Sequence, residues 1–179
     1  GGLMNEHFSL LVPGAEPDPV PHRVVAPFDG SPIGSTDRVG PDGVETALAT
    51  AHRLFRNRDA WLSPARRAAV LDRLAALLRE HRDTLALESA REGGKPLVDS
   101  LVEADRAINS VRLCVEALRT QHGREVPMNL DAASAGRLAF TTHEPIGVVV
   151  AFAAFNHPLN LIAHLVGPAV AAGCPIIVK

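Results

Sequence analysis

The chain has 179 residues, of which 46% are hydrophobic and 21% charged, which is ordinary for one compact domain with its own core. Its formal net charge of −2 gives no indication of a basic surface for nucleic acid or acidic membranes, so we expect neither as a partner. No stretch reaches the roughly 18 apolar residues of a membrane span.

Two cysteines, Cys114 and Cys174, form neither a disulfide framework nor a zinc-ligand pattern, so we expect a reducing cytoplasm and no metal site. The start lacks the basic and apolar regions of a signal peptide. Residues 1–3, which precede Met4, are interpreted as a cloning remnant.

The first forty residues are rich in Pro and Gly and predict short edge strands or extended segments at residues 8–12 and 23–26. Residues 28–32, Phe-Asp-Gly-Ser-Pro, are a strong turn signal.

Four helices are predicted next. The first two carry apolar residues at helical spacing, and the second begins at Ser63-Pro64, a capping residue before a first-turn proline. A third begins at Thr84, and Gly93-Gly94 ends it. The fourth follows Pro96, and its apolar residues alternate in steps of four and three over six turns: Leu97, Leu101, Ala104, Ile108, Val111, Val115 and Leu118.

From residue 123 the pattern changes to strand, loop and strand, at residues 124–128, 131–136 and 137–142. A two-stranded ribbon alone is marginal in water. We therefore expect it to lean on the rest of the protein or on another subunit.

The last segment predicts a βαβ unit. Residues 146–152 are a valine-rich apolar run, typical of a strand buried on both faces. After the break at residues 156–158 a helix follows that Gly173 closes, and residues 175–179 begin a second strand. Strand, helix and strand in about 34 residues fit a crossover that makes the two strands parallel.

Ligands of open parallel sheets bind beyond the carboxyl ends of the strands, where Asn156 and Lys179 lie. The alternative is that Asn156 caps the following helix and Lys179 is a solvated strand end. Neither G-x-G-x-x-G nor G-x-x-x-x-G-K-[ST] is present, so the spacing alone predicts only an α/β domain with a plausible small-molecule crevice.

Particular motifs go further. They are Ala26-Pro27-Phe28-Asp29-Gly30, Trp61, Glu92-Gly93-Gly94-Lys95-Pro96, His143-Glu144-Pro145-Ile146-Gly147-Val148-Val149, Phe155-Asn156-His157-Pro158-Leu159, Gly167-Pro168-Ala169, Ala172-Gly173 and Val178-Lys179. Together they resemble the N-terminal portion of the aldehyde dehydrogenase superfamily, over nearly the whole chain.

The resemblance implies an α/β fold: the N-terminal part of a Rossmann-like parallel sheet, with preceding helices and a two-stranded oligomerisation arm. Residues 4–122 would be the N-terminal strands and helices of the cofactor-binding domain. Residues 123–143 would be the arm, in a homodimer or homotetramer, and residues 144–179 the first βαβ unit, truncated.

The resemblance also assigns site residues. Asn156 matches the catalytic asparagine, whose amide donates a hydrogen bond to the oxyanion of a thiohemiacetal. Lys179 matches the lysine that binds the adenosine ribose of NAD or NADP. The backbone along the cofactor would be that of Phe152, Ala153, Ala154 and Phe155. Phe155 stands where tryptophan is frequent and Ala154 where proline is frequent, and backbone contacts would survive both changes.

Two further residues, Arg106 and His157, stand at positions that line the substrate tunnel in this family. Two side chains that can carry positive charge there suggest an anionic aldehyde, and the sequence around Asn156 resembles the phosphonoacetaldehyde dehydrogenase branch. Alternatively, Arg106 pairs with Glu103 or Asp105 on the helix surface, and His157 satisfies a backbone carbonyl.

The implied activity is oxidation of an aldehyde to the acid with NAD or NADP, on a nucleophilic cysteine that is neither Cys114 nor Cys174 and would follow Lys179. We therefore expect this segment to be inactive by itself. The alternatives are a non-catalytic binding or assembly module, and a member of the family that transfers the acyl group to coenzyme A.

Overall fold

The computed structural model describes residues 6–179, so the predicted cloning remnant lies outside the described residues. The elements in chain order are β1 (Glu6–Phe8), β2 (His22–Val25), β3 (Pro32–Thr36), α1 (Pro41–Arg56), a short 3-10 helix (Arg58–Ala60), α2 (Pro64–Glu80), α3 (Arg82–Gly93), α4 (Leu97–Thr120), β4 (Glu125–Val126), β5 (Ala139–Phe140), β6 (Val149–Ala151), α5 (Pro158–Ala172) and β7 (Ile176–Val178).

The N-terminal strands form a sheet of order β1-β3-β2, in which β3 is parallel to β1 and antiparallel to β2. The segment predicted at residues 23–26 is confirmed as β2, whereas β1 shares only Phe8 with the segment predicted at residues 8–12, and the third strand was missed. The predicted turn closes a hairpin at Gly30, whose φ of 73° is left-handed. Backbone hydrogen bonds from Gly30 to Ala26 and from Ala26 to Ser31 then place β3 beside β2.

The core lies between α2, α4 and α5, with α4 at the centre because it packs against α2, α3 and α5. Its residues are fully or almost fully buried: Leu71, Ala75, Ala107, Val111, Val115 and Ala163. Small side chains let the helices approach closely, and a Cβ on Gly167 of α5 would lie only 3.0 Å from Sγ of Cys114. The predicted apolar face of α4 is thus confirmed over its middle turns.

The predicted helix ends are mostly confirmed. Ser63 Oγ accepts a hydrogen bond from the N–H of Arg66 at the start of α2, as a capping serine should. Gly94 and Gly173 follow α3 and α5 in the left-handed conformation that favours glycine. Helix α3 begins at Arg82, two residues before the predicted Thr84.

Strands β6 and β7 are parallel neighbours joined through α5, which confirms the predicted βαβ unit. The prediction that the first strand is buried on both faces is wrong, because Ile146 is 90% and Phe152 71% exposed. Only α1 and α5 among the helices of the described chain contact these strands appreciably. A strand of a parallel sheet is buried on both faces only where a layer covers each of them.

The predicted ribbon is present but shorter, with β4 and β5 pairing antiparallel through Glu125 with Phe140 and Val126 with Ala139. Leu130, Leu138 and Phe140 on or beside it are largely exposed. Within residues 6–179, no helix combines the length and apolar character needed to cross a membrane.

Candidate cofactor and substrate site

The ends of β6 and β7 bring the predicted cofactor residues to one edge of the sheet. Lys179 N–H donates to the carbonyl of Ala151 over 2.9 Å, and Ala153 N–H donates to the carbonyl of Lys179 over 2.8 Å. The chain then leaves the sheet, and Asn156 follows three residues later. The juxtaposition expected from parallel strands is therefore present in the backbone.

The side chain of Asn156 is exposed and makes no hydrogen bond with any residue from 6 to 179. The N-cap of α5 is His157, which also provides no side-chain cap. The alternative interpretation of Asn156 as a helix cap is therefore wrong. Its amide stays available to a ligand.

The cap of α5 comes from another helix. Glu103 of α4 accepts hydrogen bonds at Oε1 from the backbone N–H groups of Leu159, 2.7 Å away, and Asn160, 3.0 Å away. These are the first free donors of α5, since Pro158 has none. Sequence analysis named Glu103 only as an alternative partner of Arg106 and missed its role as the cap of α5, although an acidic residue next to Ala104 on the apolar face of α4 was a usable signal.

Lys95 completes this arrangement. Its Nζ forms an ion pair with Glu103 Oε2 and lies 3.3 Å from Nδ1 of His157. The Glu103 side chain is 1% and the Lys95 side chain 13% exposed. Burial disfavours the charged form of Glu103, but the hydrogen bonds from Lys95, Asn160 and Leu159 outweigh it, so the pKa of this carboxyl lies below its ordinary value.

His157 contacts the charged side chains of Lys95 and Glu103. The alternative interpretation, in which His157 satisfies a backbone carbonyl, is therefore wrong. Its Nδ1 lies 3.7 Å from Oε2 of Glu103, and about half of its side chain is exposed. The ring is close to Asn156 in sequence and open to solvent. It can face a ligand on one side and the buried Lys95–Glu103 pair on the other.

The alternative partners of Arg106 are both engaged elsewhere. Asp105 accepts two hydrogen bonds from Arg82, of 2.6 and 2.7 Å, and Glu103 is paired with Lys95. The exposed guanidinium of Arg106 forms no ion pair within the described part of the chain. It is free to bind an anion.

A polar contact between α4 and α5 extends from Arg106. Ser110 Oγ donates to the carbonyl of Arg106 over 2.8 Å and lies 2.8 Å from Nε2 of His164 and 3.5 Å from Oδ1 of Asn160. Asn160 and His164 are four residues apart, so they share one face of α5. Sequence analysis did not single out this polar face of α5.

The loop predicted to follow the cofactor is open. Phe155 is 89% exposed, and the backbone N–H groups of Ala154 and Phe155 donate to no other residue among those described. This segment has both free donors and uncovered apolar rings at the strand ends. That combination fits a dinucleotide, which offers polar phosphates and flat rings.

The two cysteines lie away from this loop in sequence and are packed. Burial raises the pKa of the Cys114 thiol on α4. Cys174 is buried in the turn before β7, where its N–H bonds to Ala169. Their exclusion as nucleophiles stays a prediction. Among residues 6–179, no group of three or more His, Cys, Asp or Glu side chains is placed to hold a metal ion.

A model of the aldehyde dehydrogenase family matches residues 15–179, and the chain belongs to that family. It is 34% identical to the sulfoacetaldehyde dehydrogenase of Neptuniibacter caesariensis over 160 residues, which cover 88% of the chain and 34% of that protein. The chain thus spans about a third of the length of this relative.

Two solved structures extend the comparison. Aldehyde dehydrogenase 21 from Physcomitrella patens, in complex with the reaction product succinate, has a TM-score of 0.89 and 25% identity, over 98% of this chain and 37% of that one. Glyceraldehyde-3-phosphate dehydrogenase GapN from Methanocaldococcus jannaschii, complexed with NADP, has a TM-score of 0.79 and 29% identity, over 91% and 34%. The predicted fold class is confirmed.

Proposed function

We propose that the protein oxidises an aldehyde to the corresponding acid with NAD or NADP as the hydride acceptor. The observation that carries the proposal is the pairing of β6 with β7, which presents the free amide of Asn156 and the end of β7 at Lys179 on the same edge of the sheet. Family membership supports the reaction class.

The cofactor would lie along the open loop that follows β6. Lys179 would bind the adenosine ribose, and the backbone of Phe152, Ala153, Ala154 and Phe155 would run beside the dinucleotide. The unpaired N–H groups and exposed rings of this loop fit such a ligand. The bound nicotinamide would supply hydride acceptance, and the NADP complex of the GapN neighbour supports the choice of cofactor.

Asn156 would act on the substrate oxygen. Its side-chain N–H would donate a hydrogen bond to the carbonyl oxygen as that atom gains negative charge. Such a donor accelerates the reaction because it stabilises the transition state more than the ground state. An amide without a partner in the free protein needs to break no existing contact to do so.

We further propose an anionic aldehyde, such as phosphonoacetaldehyde, as the substrate. Arg106 has no competing carboxylate, and His157 is half exposed beside Lys95. A guanidinium binds phosphonate, sulfonate or carboxylate through two parallel hydrogen bonds. The relatives are named for sulfoacetaldehyde and glyceraldehyde 3-phosphate, and one neighbour holds succinate, all of them anionic compounds.

The ribbon of β4 and β5 supports a proposal about assembly. Its two residue pairs and exposed side chains, among them Leu138 and Phe140, are too little for independent stability. We assign residues 123–143 to an arm that pairs with a neighbouring subunit in a cytoplasmic homodimer or homotetramer.

The decisive experiment measures aldehyde-dependent formation of NADH and NADPH by the complete gene product. Phosphonoacetaldehyde, sulfoacetaldehyde and propanal are compared at matched concentrations, each with and without coenzyme A. Turnover without coenzyme A is the expected result. Strict dependence on coenzyme A would assign the acyl-transferring reaction instead, and binding of NAD(P) without any turnover would assign a non-catalytic module.

A further inference from the structure

The loop that carries Asn156 is held at its two ends by different parts of the fold. At its start, Ala153 N–H donates to the carbonyl of Lys179. At its end, the first N–H groups of α5, those of Leu159 and Asn160, donate to Glu103 of α4. Between these two anchors, the side chain of Asn156 forms no hydrogen bond with any described residue that would restrain the loop.

The end anchor at Glu103 does not depend on local sequence. A helix start is usually capped by its own Ser, Thr, Asp or Asn, and here the N-cap is His157, whose side chain does not cap. The carboxylate that replaces it comes from a residue 56 positions away from Leu159. The direction in which α5 begins is therefore tied to α4.

Lys95 makes this anchor possible. A carboxylate that is almost completely buried is costly unless a cation and hydrogen-bond donors compensate it. Lys95 provides the cation from the turn that follows Gly94. That turn is itself fixed, because Gly94 has a φ of 61° and packs so closely on Pro27 that an added Cβ would lie 2.8 Å from Cγ.

We propose that Lys95 and Glu103 are positioning residues, which set the orientation of Asn156 towards the substrate by anchoring the start of α5. The inference rests on the proposed function. Neither side chain touches the reacting atoms in this account. They act through the backbone of α5 and the loop before it, whereas the cofactor-binding residues Phe152 to Phe155 and Lys179 belong mainly to the other anchor.

The test compares Glu103→Ala, Glu103→Gln and Lys95→Arg in the complete protein. Displacement of a catalytic group by about 1 Å can lower a rate about 100-fold, so we expect a loss of that order in kcat for Glu103→Ala. The KM for NAD(P) should stay within about twofold of wild type, because the anchor at Lys179 is intact. Glu103→Gln keeps an acceptor and Lys95→Arg keeps the cation. Both variants should therefore have a higher kcat than Glu103→Ala. Glu116→Gln, an exposed position on α4, is the control.

A second readout is independent of activity. Hydrogen–deuterium exchange should increase in Glu103→Ala over residues 156–160, with the rest of the chain unchanged. If Glu103→Ala does not fold, Glu103→Gln and Lys95→Arg carry the comparison.

The inference is overturned if exchange increases at residues 156–160 while kcat is unchanged. It is also overturned if kcat and the KM for NAD(P) worsen together while exchange rises throughout the chain, because that pattern belongs to a residue that only stabilises the fold. An inactive wild-type protein would refute the proposed function instead. The anchor itself would then be refuted by unchanged exchange at Leu159 and Asn160.

Discussion

The backbone N–H of Ala153, two residues beyond the end of β6, donates to the carbonyl of Lys179, one residue beyond the end of β7, over 2.8 Å. This bond extends the parallel ladder to the point where both chains leave the sheet. It places the loop that leads to Asn156 beside the end of β7. The proposed catalytic amide and the proposed ribose-binding lysine are thus related through the backbone, not through a contact between their side chains.

Asn156→Ala should abolish most activity without affecting stability. Loss of an oxyanion donor lowers turnover about 100- to 1000-fold. The side chain is exposed and unbonded, so the free energy of unfolding should change by less than about 0.5 kcal/mol. Steady-state kinetics and urea unfolding of the complete protein measure both. Gln121→Ala, which truncates an exposed amide at the C-cap of α4, should keep full turnover. A similar kcat in both variants would remove Asn156 from the proposed mechanism.

Arg106→Ala should discriminate between substrates by charge. The KM for phosphonoacetaldehyde or sulfoacetaldehyde should rise about 10- to 100-fold, since hydrogen bonds to a charged group contribute about 1.5–3 kcal/mol. The KM for propanal should hardly change. Arg112→Ala, six residues along α4 and also exposed, serves as the matched control. Equal effects of Arg106→Ala on charged and neutral aldehydes would contradict the anionic-substrate proposal.

Gly94→Ala should destabilise the protein more than Gly30→Ala does. Both glycines have a left-handed backbone, with φ of 61° and 73°, which costs other residues about 1–2 kcal/mol. A Cβ at Gly30 meets nothing within 4 Å, whereas one at Gly94 would lie 2.8 Å from Cγ of Pro27. Forced overlap of this kind adds about 1–3 kcal/mol. Urea unfolding of the two variants tests the difference, and equal losses would mean that Pro27 moves freely.

Glu103 should make stability depend on pH in a known direction. Its pKa in the folded protein lies below the ordinary value of 4.5, so the unfolded chain binds the proton first as pH falls. The stabilisation by the ionised carboxylate is therefore complete well above pH 4.5 and is lost as pH falls through the lower folded value.

The stability difference between wild type and Glu103→Gln should accordingly be largest near neutral pH and shrink in acid. Thermal unfolding across a pH series measures it, with Glu116→Gln on the same helix as the control. A difference that grows on acidification would show that the charge of Glu103 is not what stabilises the start of α5.

Regular patterns within the sequence predicted most of the fold. The alternating apolar spacing of α4, the cap at Ser63, the glycines after α3 and α5, and the βαβ unit all depend on neighbours along the chain, and each is present. Strand β3 was missed because its pairing depends on how the turn at Gly30 folds back. The expected burial of residues 146–152 failed because burial depends on the layers that cover a strand, not on its own side chains.

The candidate site likewise contains residues that the sequence predicted and residues that were found only in the structure. Sequence patterns alone predicted that Asn156 and Lys179 follow the carboxyl ends of two parallel strands, because chain direction and crossover length fix which ends of such strands meet. That Glu103 caps α5, that Lys95 neutralises Glu103, and that Arg106 has no carboxylate partner among the described residues became visible only in the folded chain. Glu103 lies on α4, the N–H groups that it caps begin α5, and Lys95 comes from the turn between α3 and α4. Their pairing is set by how these elements pack, which short-range spacing does not encode.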